Sequence, residues 1–250
     1  MIALLFATDK ECSAALGPLG APRVRRGEAA LWEALGRQWV VGVSGVGLVN
    51  AALFTGGALA ELELAGMVSL GLAGSFDLET LPLGALTLVR WEVWPEYGLG
   101  PEDGASEGGS NKGLADPRGL GFHLARLPNG GERIWDRVDH TPDEALRRMG
   151  LAPDPAWPWS VGLSVSTVTA DPARAKGLRQ AYGQNRTPMV ENMEGFAPAY
   201  ACALSGLPFA ELRAVSNLVG SRKPRHWDLD KALESLAQGA RQLLSPDTKA

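Results

Sequence analysis

The 250-residue chain contains few of the residues that build disulfide or metal sites. Its 2 cysteines, Cys12 and Cys202, lie far apart in apolar stretches, where a free thiol behaves as a small buried hydrophobe. Its 3 histidines, His123, His140 and His226, are scattered, and the chain has no Cys/His spacing typical of zinc. The sequence therefore predicts neither a disulfide nor a bound metal, and it implies no cofactor.

Long apolar runs and an excess of positive charge are also missing. No apolar run approaches the roughly 18 residues of a membrane helix, and the first ten residues lack the length and charge order of a signal peptide. The formal net charge is -4, whereas a nucleic-acid partner requires clustered lysine and arginine. These absences predict a cytoplasmic protein that binds neither membranes nor nucleic acids.

The composition is that of a globular domain with a substantial core, since 45% of the residues are apolar and 21% are charged. Composition does not shift along the chain, which predicts a single domain over residues 1–250. Apolar strands alternate with amphipathic helices, which predicts an α/β fold with a central mixed, largely parallel sheet between helices in three layers. Residues 95–159, rich in proline and in part in glycine, are predicted to form an irregular, insertion-like region.

Acidic and amide side chains follow several predicted strands. Glu11 comes just after the first strand, Glu191 and Glu194 lie where a short strand gives way to a helix, and Asn217 ends the last strand. Small ligands bind at the carboxyl ends of strands in open α/β sheets, so these groups are predicted to share a crevice. Each also has a simpler interpretation, because acids suit the first turn of a helix and asparagine suits turns.

One glycine motif invites a different interpretation. Residues 44–47, with the sequence SGVG, lie between a predicted strand and a helix, as in dinucleotide-binding folds. Asn50 stands where the third glycine of that fingerprint would be, and no acidic residue follows at a convincing strand end about 20 residues later. A dinucleotide site is therefore not predicted.

Five short segments occur together in a characteristic order: ATDKE at 7–11, SGVG at 44–47, GLAG at 71–74, ENMEG at 191–195 and RAVSN at 213–217. Through them the chain resembles the nucleoside phosphorylase and nucleosidase superfamily over nearly its whole length. The late segments, with VGSR and Trp227-Asp228 after them, are similar to those of the futalosine hydrolases of the menaquinone pathway. That group resembles the methylthioadenosine/S-adenosylhomocysteine nucleosidases.

The resemblance implies hydrolysis of the N-glycosidic bond of futalosine, which releases hypoxanthine and dehypoxanthine futalosine. It implies that Glu11 activates water, that Met193 packs on the ribose and that Glu194 accepts hydrogen bonds from the ribose hydroxyls. Asn217 replaces an aspartate that protonates the base in adenine-releasing relatives. An amide offers a donor and an acceptor side by side, which matches the N7 and 6-oxo edge of hypoxanthine, and Ser216 is a candidate to orient it.

The other predicted substrate-binding positions are Gly74, Val168, Asn192 and Arg222. Futalosine carries a benzoate-bearing tail, and arginine pairs bidentately with carboxylates, which makes Arg222, with Lys223 and Arg225, a candidate for binding that tail. A solvated loop is the simpler interpretation of this basic segment.

Two alternative functions stay open at this point. A purine nucleoside phosphorylase, or a nucleosidase of the methylthioadenosine type, is the first. Phosphorylases of the superfamily tend to carry Gly-Asp-Pro where this chain has Asp9-Lys10-Glu11, and Leu72 replaces a common hydroxyl residue, which favours water over phosphate. A non-catalytic nucleoside-binding protein is the second, although such a protein needs no water activator. The resemblance also implies a homo-oligomer, a dimer or larger.

Overall fold

A computed structural model describes residues 1–100, 114–128, 131–183 and 187–245. Within them the α-helices are α1 (Asp9–Leu16), α2 (Leu48–Glu61), α3 (Pro142–Arg148), α4 (Pro172–Tyr182), α5 (Phe196–Ser205) and α6 (Leu229–Leu244). The strands are β1 (Ile2–Phe6), β2 (Ala29–Ala34), β3 (Arg37–Val43), β4 (Gly66–Ser75), β5 (Leu86–Val93), β6 (Ala125–Arg126), β7 (Arg133–Ile134), β8 (Arg137–Asp139), β9 (Trp159–Ser164), β10 (Met189–Asn192) and β11 (Phe209–Leu218).

Nine of these strands form one mixed sheet, in the order β10-β9-β5-β11-β4-β1-β3-β2, with β8 paired to β5. Strand β4 runs parallel to both β1 and β11, whereas β5 runs antiparallel to β11. Near its end β4 also pairs with β10, in antiparallel orientation, at Gly74 and Ser75. Strands β4, β11, β5, β9 and β10 therefore close into a five-stranded barrel.

The predicted single α/β domain with a mixed central sheet and flanking helices is confirmed, although the sheet, predicted to be largely parallel, has nearly as many antiparallel as parallel pairings. The prediction described an open sheet between two layers of helices, whereas in the structure part of the sheet closes into a barrel. Two register shifts accompany that closure, one in β11 between Val215 and Asn217 and one in the pairing of β5 between Val89 and Trp91. Such irregularities bend a strand and increase its twist, which allows an open sheet to curl back on itself.

Strand β1 is buried on both faces, as its continuous apolar sequence predicted. Leu4 belongs to a core cluster that includes Leu16 of α1 and Leu243 of α6. Its neighbour Leu5 belongs to a second cluster, in which Cys202 of α5 also lies. Because successive side chains of a strand point to opposite faces, helices cover both sides of the sheet at β1.

The region predicted to be irregular, residues 95–159, is only partly described. Residues 101–113 and 129–130 lie outside the described residues. The rest contains β8, helix α3 and a two-stranded sheet formed by β6 and β7. None of the helices in the described part of the chain has the length and apolar character to span a membrane.

Candidate active site

Glu11 occupies the first turn of α1, directly after β1. With Thr8 it forms a capping box, in which its Oε2 accepts hydrogen bonds from the Thr8 backbone N–H at 2.9 Å and the Thr8 hydroxyl at 2.7 Å. The simpler interpretation of Glu11, an acid that stabilises the start of a helix, is therefore correct. Its other oxygen, Oε1, accepts a hydrogen bond from the backbone N–H of Leu72 in β4, at 2.9 Å. The carboxylate thus also bridges two neighbouring strands at their carboxyl ends.

Glu194 lies in the turn between β10 and α5, with only 7% of its surface exposed. Its Oε1 accepts a hydrogen bond from the backbone N–H of Gly47 at 2.9 Å, which ties it to the start of α2. Burial raises the pKa of Glu194, whereas Arg213 and the Gly47 N–H oppose that rise. The glycine motif at 44–47 therefore anchors a carboxylate instead of a dinucleotide.

Arg213 is a buried cation close to these acids. It is 1% exposed, its Nε donates to Glu211 Oε1 at 2.6 Å, and its guanidinium also reaches Ser69. Burial by itself lowers the pKa of Arg213, but Glu211 and Glu194 raise it above its usual range. A side chain at position 71 would collide with Arg213 Nη1 and lie 3.0 Å from Glu11 Oε1. Gly71 therefore leaves room for a cation and a carboxylate side by side.

Arg213 was not among the predicted site residues and was noted only as part of a motif. The signal for it lies in the spacing of Glu211 and Arg213, the two charged residues of strand β11. Residues two apart in a strand point to the same face, so this spacing predicts a charged pair. Both side chains are fully or almost fully buried.

Asn217 lies at the end of β11, just past the register shift, with 8% of its surface exposed. The Ser216 hydroxyl donates to its Oδ1 at 2.9 Å. Its Nδ2 faces Gly74, where a Cβ atom would approach to 2.8 Å. The amide is therefore held with its oxygen toward Ser216 and its nitrogen toward β4.

The other predicted residues near Glu194 have different surroundings. Asn192 turns its amide into the protein, where Oδ1 accepts from the backbone N–H groups of Glu194 and Gly195. Glu191 accepts a hydrogen bond from the Thr169 N–H at 3.0 Å. Val168 is 40% exposed, and Met193 is half-buried next to Glu194.

Arg222 lies apart from this cluster, in the loop after β11. Its guanidinium stacks over the Trp227 ring, 5.2 Å from the ring centroid. It lines a cleft of about 590 Å³ whose lining includes both basic and apolar residues. The basic residues are Lys176, Arg179, Arg222, Lys223 and His226, and the apolar ones include Phe76, Leu218 and Val219.

Comparison with known proteins gives consistent results. A profile described as the phosphorylase superfamily matches residues 13–245. The chain is 34% identical over 220 residues to a futalosine hydrolase of Thermus thermophilus, covering 86% of each protein. It is 32% identical over 210 residues to a futalosine hydrolase of Streptomyces coelicolor, covering 82% of this chain and 78% of the relative.

A solved structure shows the same fold. It is described as a futalosine hydrolase mutant of Helicobacter pylori strain 26695, and it superposes with a TM-score of 0.70 at 17% identity, covering 96% of both chains. Methylthioadenosine/S-adenosylhomocysteine nucleosidase of the same organism superposes with a TM-score of 0.67.

The buried ion pair gives a testable prediction. Replacing Arg213 with Met leaves the carboxylates of Glu211 and Glu194 buried without their cation, so we expect unfolding to require about 3–5 kcal/mol less free energy. Urea denaturation measures this loss. The matched control is Arg137→Met, which breaks an exposed pair with Asp139 and should cost no more than about 1 kcal/mol. Equal losses in the two variants would contradict the role assigned to Arg213.

Proposed function

The chain belongs to the phosphorylase superfamily, and we propose that it hydrolyses the N-glycosidic bond of futalosine, releasing hypoxanthine and dehypoxanthine futalosine in menaquinone biosynthesis. It is then a nucleosidase that uses water as the acceptor. The observation that carries this proposal is its identity of 34% and 32% to two futalosine hydrolases over most of its length. The buried acids Glu11 and Glu194 support catalysis over simple binding.

We assign the activation of water to Glu11. Its Oε2 already accepts two hydrogen bonds from Thr8, whereas Oε1 accepts one, from Leu72. A carboxylate oxygen can accept a second hydrogen bond, so Oε1 can receive one from a water molecule. A water held by a carboxylate is oriented and partly deprotonated as it attacks the anomeric carbon.

Glu194 is assigned to the ribose. Its Oε1 is anchored by Gly47, which leaves Oε2 to accept from the 2′- and 3′-hydroxyls of the sugar. The sugar becomes positively charged as the glycosidic bond breaks, and a buried carboxylate stabilises that charge more than it stabilises the uncharged substrate. Half-buried Met193, next in the chain, supplies an apolar contact to the same sugar.

Asn217 is assigned to the base. Ser216 holds its amide oxygen, which keeps a free lone pair, and Nδ2 remains a donor next to Gly74. This arrangement supports reading of a 6-oxopurine, with Nδ2 donating to one acceptor and Oδ1 accepting from protonated N7. Since an amide is no acid at neutral pH, the proton that N7 gains comes from water. Val168 and Gly74 are assigned to the border of the base.

Arg222 remains the candidate for the carboxylate of the futalosine tail. The cleft that it lines contains basic side chains and also apolar ones, among them Phe76 and Val219. A benzoate group needs both, because its ring is apolar and its carboxylate pairs with arginine.

We also infer that the protein forms a homo-oligomer through α2. The exposed face of this helix is apolar, with Val49 81% and Leu53 77% exposed, and Val46 just before it 48% exposed. Contiguous exposed apolar surface of this kind marks interaction sites. Gly47, at the start of α2, holds Glu194, so a second copy bound here would border the active site.

The function is tested by incubating the protein with futalosine and with inosine, each with and without phosphate, and following hypoxanthine by chromatography. We expect release from futalosine that does not depend on phosphate. Glu11→Gln is the matched variant, and loss of the general base should lower turnover about 100-fold or more. Strict dependence on phosphate would indicate a phosphorylase, and binding without turnover would indicate a non-catalytic protein.

Asn217→Asp tests the recognition of the base. A carboxylate accepts hydrogen bonds, or donates one when protonated, and it suits the amino edge of adenine better than the oxo edge of hypoxanthine. We expect the ratio of kcat/KM for futalosine to that for its 6-amino counterpart to fall in this variant. An unchanged ratio would remove Asn217 from base recognition.

The oligomer is tested by sedimentation velocity. Leu53→Glu places a charge in the centre of the apolar face of α2 and should dissociate the assembly. Leu31→Glu is the control, because Leu31 is 66% exposed on the edge strand β2, away from that face. A wild-type protein that sediments as a monomer would refute the assembly.

A further inference from the structure

Glu92 of β5 is a buried acid for which the mechanism above has no use. Its side chain is 0% exposed, and both of its oxygens are within hydrogen-bonding distance of polar side chains. Oε1 accepts from Asn192 Nδ2 at 2.7 Å, and Oε2 lies 2.7 Å from the Ser164 hydroxyl. Ser164 is the last residue of β9, and Asn192 is the last residue of β10, the strand that leads into the turn with Glu194.

The orientation of the Asn192 amide is fixed by its partners. Its Oδ1 accepts from the backbone N–H of Glu194 at 2.9 Å and of Gly195 at 2.8 Å. Its Nδ2 therefore faces Glu92. The Ser164 oxygen in turn accepts from the backbone N–H of Phe196 at 2.7 Å. Together the two side chains hold three consecutive backbone N–H groups at the start of α5.

A count of protons shows what is missing from this network. Glu92 Oε2, Ser164 Oγ and Asn192 Oδ1 form a row of three oxygens, with separations of 2.7 Å and 3.0 Å. Each separation is a hydrogen-bond distance, and two protons are needed between the three oxygens if both contacts are to be hydrogen bonds. The serine hydroxyl supplies one, and the oxygen of an amide supplies none. The second proton has one source in this row, the carboxyl group of Glu92.

We propose that Glu92 is held as the neutral acid and acts as a positioning residue for the ribose clamp. Its proton is donated from Oε2 to Ser164, the Ser164 hydroxyl then donates to Asn192 Oδ1, and every polar atom in the row is satisfied. Through Ser164 and Asn192 the acid fixes the turn from which Glu194 reaches the sugar. The kinetic part of this proposal rests on the proposed function, whereas the protonation state does not.

The surroundings of Glu92 favour the neutral form. Burial raises the pKa of Glu92 well above its usual range, and the charge of Glu211 adds to that rise, while Ser164, Arg213 and Asn192 oppose it. Strand β9 and helix α5 contain no charged residue. On β8, Arg137 and Asp139 pair with each other at the surface, and burial lowers the pKa of neighbouring His140, which keeps it neutral.

Two glycines make room for this acid. A side chain at Gly162 would collide with Glu92 Oε1. A Cβ at Gly195 would lie 2.6 Å from Glu92 Oε1 and 2.6 Å from Glu211 Oε1. The two carboxyl groups therefore approach the same point next to the backbone of Gly195. Two ionised carboxylates at that spacing repel each other, which is a second physical reason for one of them to keep its proton.

The pH dependence of folding tests the protonation state without any substrate. A group whose pKa is higher in the folded protein than in the unfolded chain stabilises the fold at low pH, and this contribution is lost as pH rises toward the folded value. Glu92→Gln keeps a neutral side chain of the same shape. We expect the ratio of the wild-type folding constant to that of Glu92→Gln to fall by up to tenfold per pH unit above about pH 4.5.

The control for this measurement is Glu33→Gln, which replaces an exposed acid on the edge strand β2. The ratio of the wild-type folding constant to that of Glu33→Gln should stay constant between pH 5 and pH 8, on the order of unity. A constant ratio for Glu92→Gln over the same range would overturn the proposal, because it would mean that Glu92 is ionised in the folded protein.

Kinetics test the positioning role. Glu92→Ala removes the proton donor, so we expect kcat/KM for futalosine to fall about tenfold or more and that for 2′-deoxyfutalosine to fall much less, since the clamp acts on ribose hydroxyls. Glu92→Gln should restore most of this loss. Equal losses on both substrates would indicate a purely structural role. A wild-type protein that does not cleave futalosine would refute the proposed function and leave the folding measurement valid.

Discussion

The site depends on a guanidinium buried inside the barrel. Arg213 is 1% exposed and bonds to Glu211, which is fully buried. Removing two charges from water costs several kcal/mol for each ion, and the attraction between the charges offsets that cost only where the geometry of the pair is fixed. Strand β11 provides this rigidity, because β4 and β5 pair with it on either side. The side chains of the acids near Arg213 can therefore be buried in fixed positions.

Closure of the barrel brings the functional groups to one place. Strands β1, β4 and β11 run parallel, so Glu11, the Leu72 N–H and Asn217 all lie toward their carboxyl ends. The pairing of β10 with β4 adds the turn with Glu194 to the same rim. Groups carried by strands and helix starts are held more tightly than groups on free loops, which suits the proposed role of stabilising charge in a transition state.

Much of this arrangement was predictable from residues next to one another in the chain. Apolar runs located the strands, and the carboxyl-end rule with the family resemblance selected Glu11, Glu194 and Asn217. Arg213 and Glu92 were missed because a charged residue in a strand can be predicted to be buried only when its partners are known. The partners of Glu92 lie on β9 and β10, and Ser69, a partner of Arg213, lies on β4. Asn192 was expected to contact substrate, but its amide is engaged within the protein. Barrel closure depends on register shifts that leave no pattern in the sequence.

The balance of charge connects Asn217 with Glu92. Four acids, Glu11, Glu92, Glu194 and Glu211, surround one guanidinium, and each additional negative charge raises the pKa of the others. The proposed ribose clamp requires an ionised Glu194, yet burial and Glu11 already raise the pKa of Glu194. A protonated Glu92 removes one negative charge from this group, and an amide at position 217 avoids adding another. Under the proposed roles, Asn217 therefore recognises the base without adding a charge that would oppose the ionisation of Glu194.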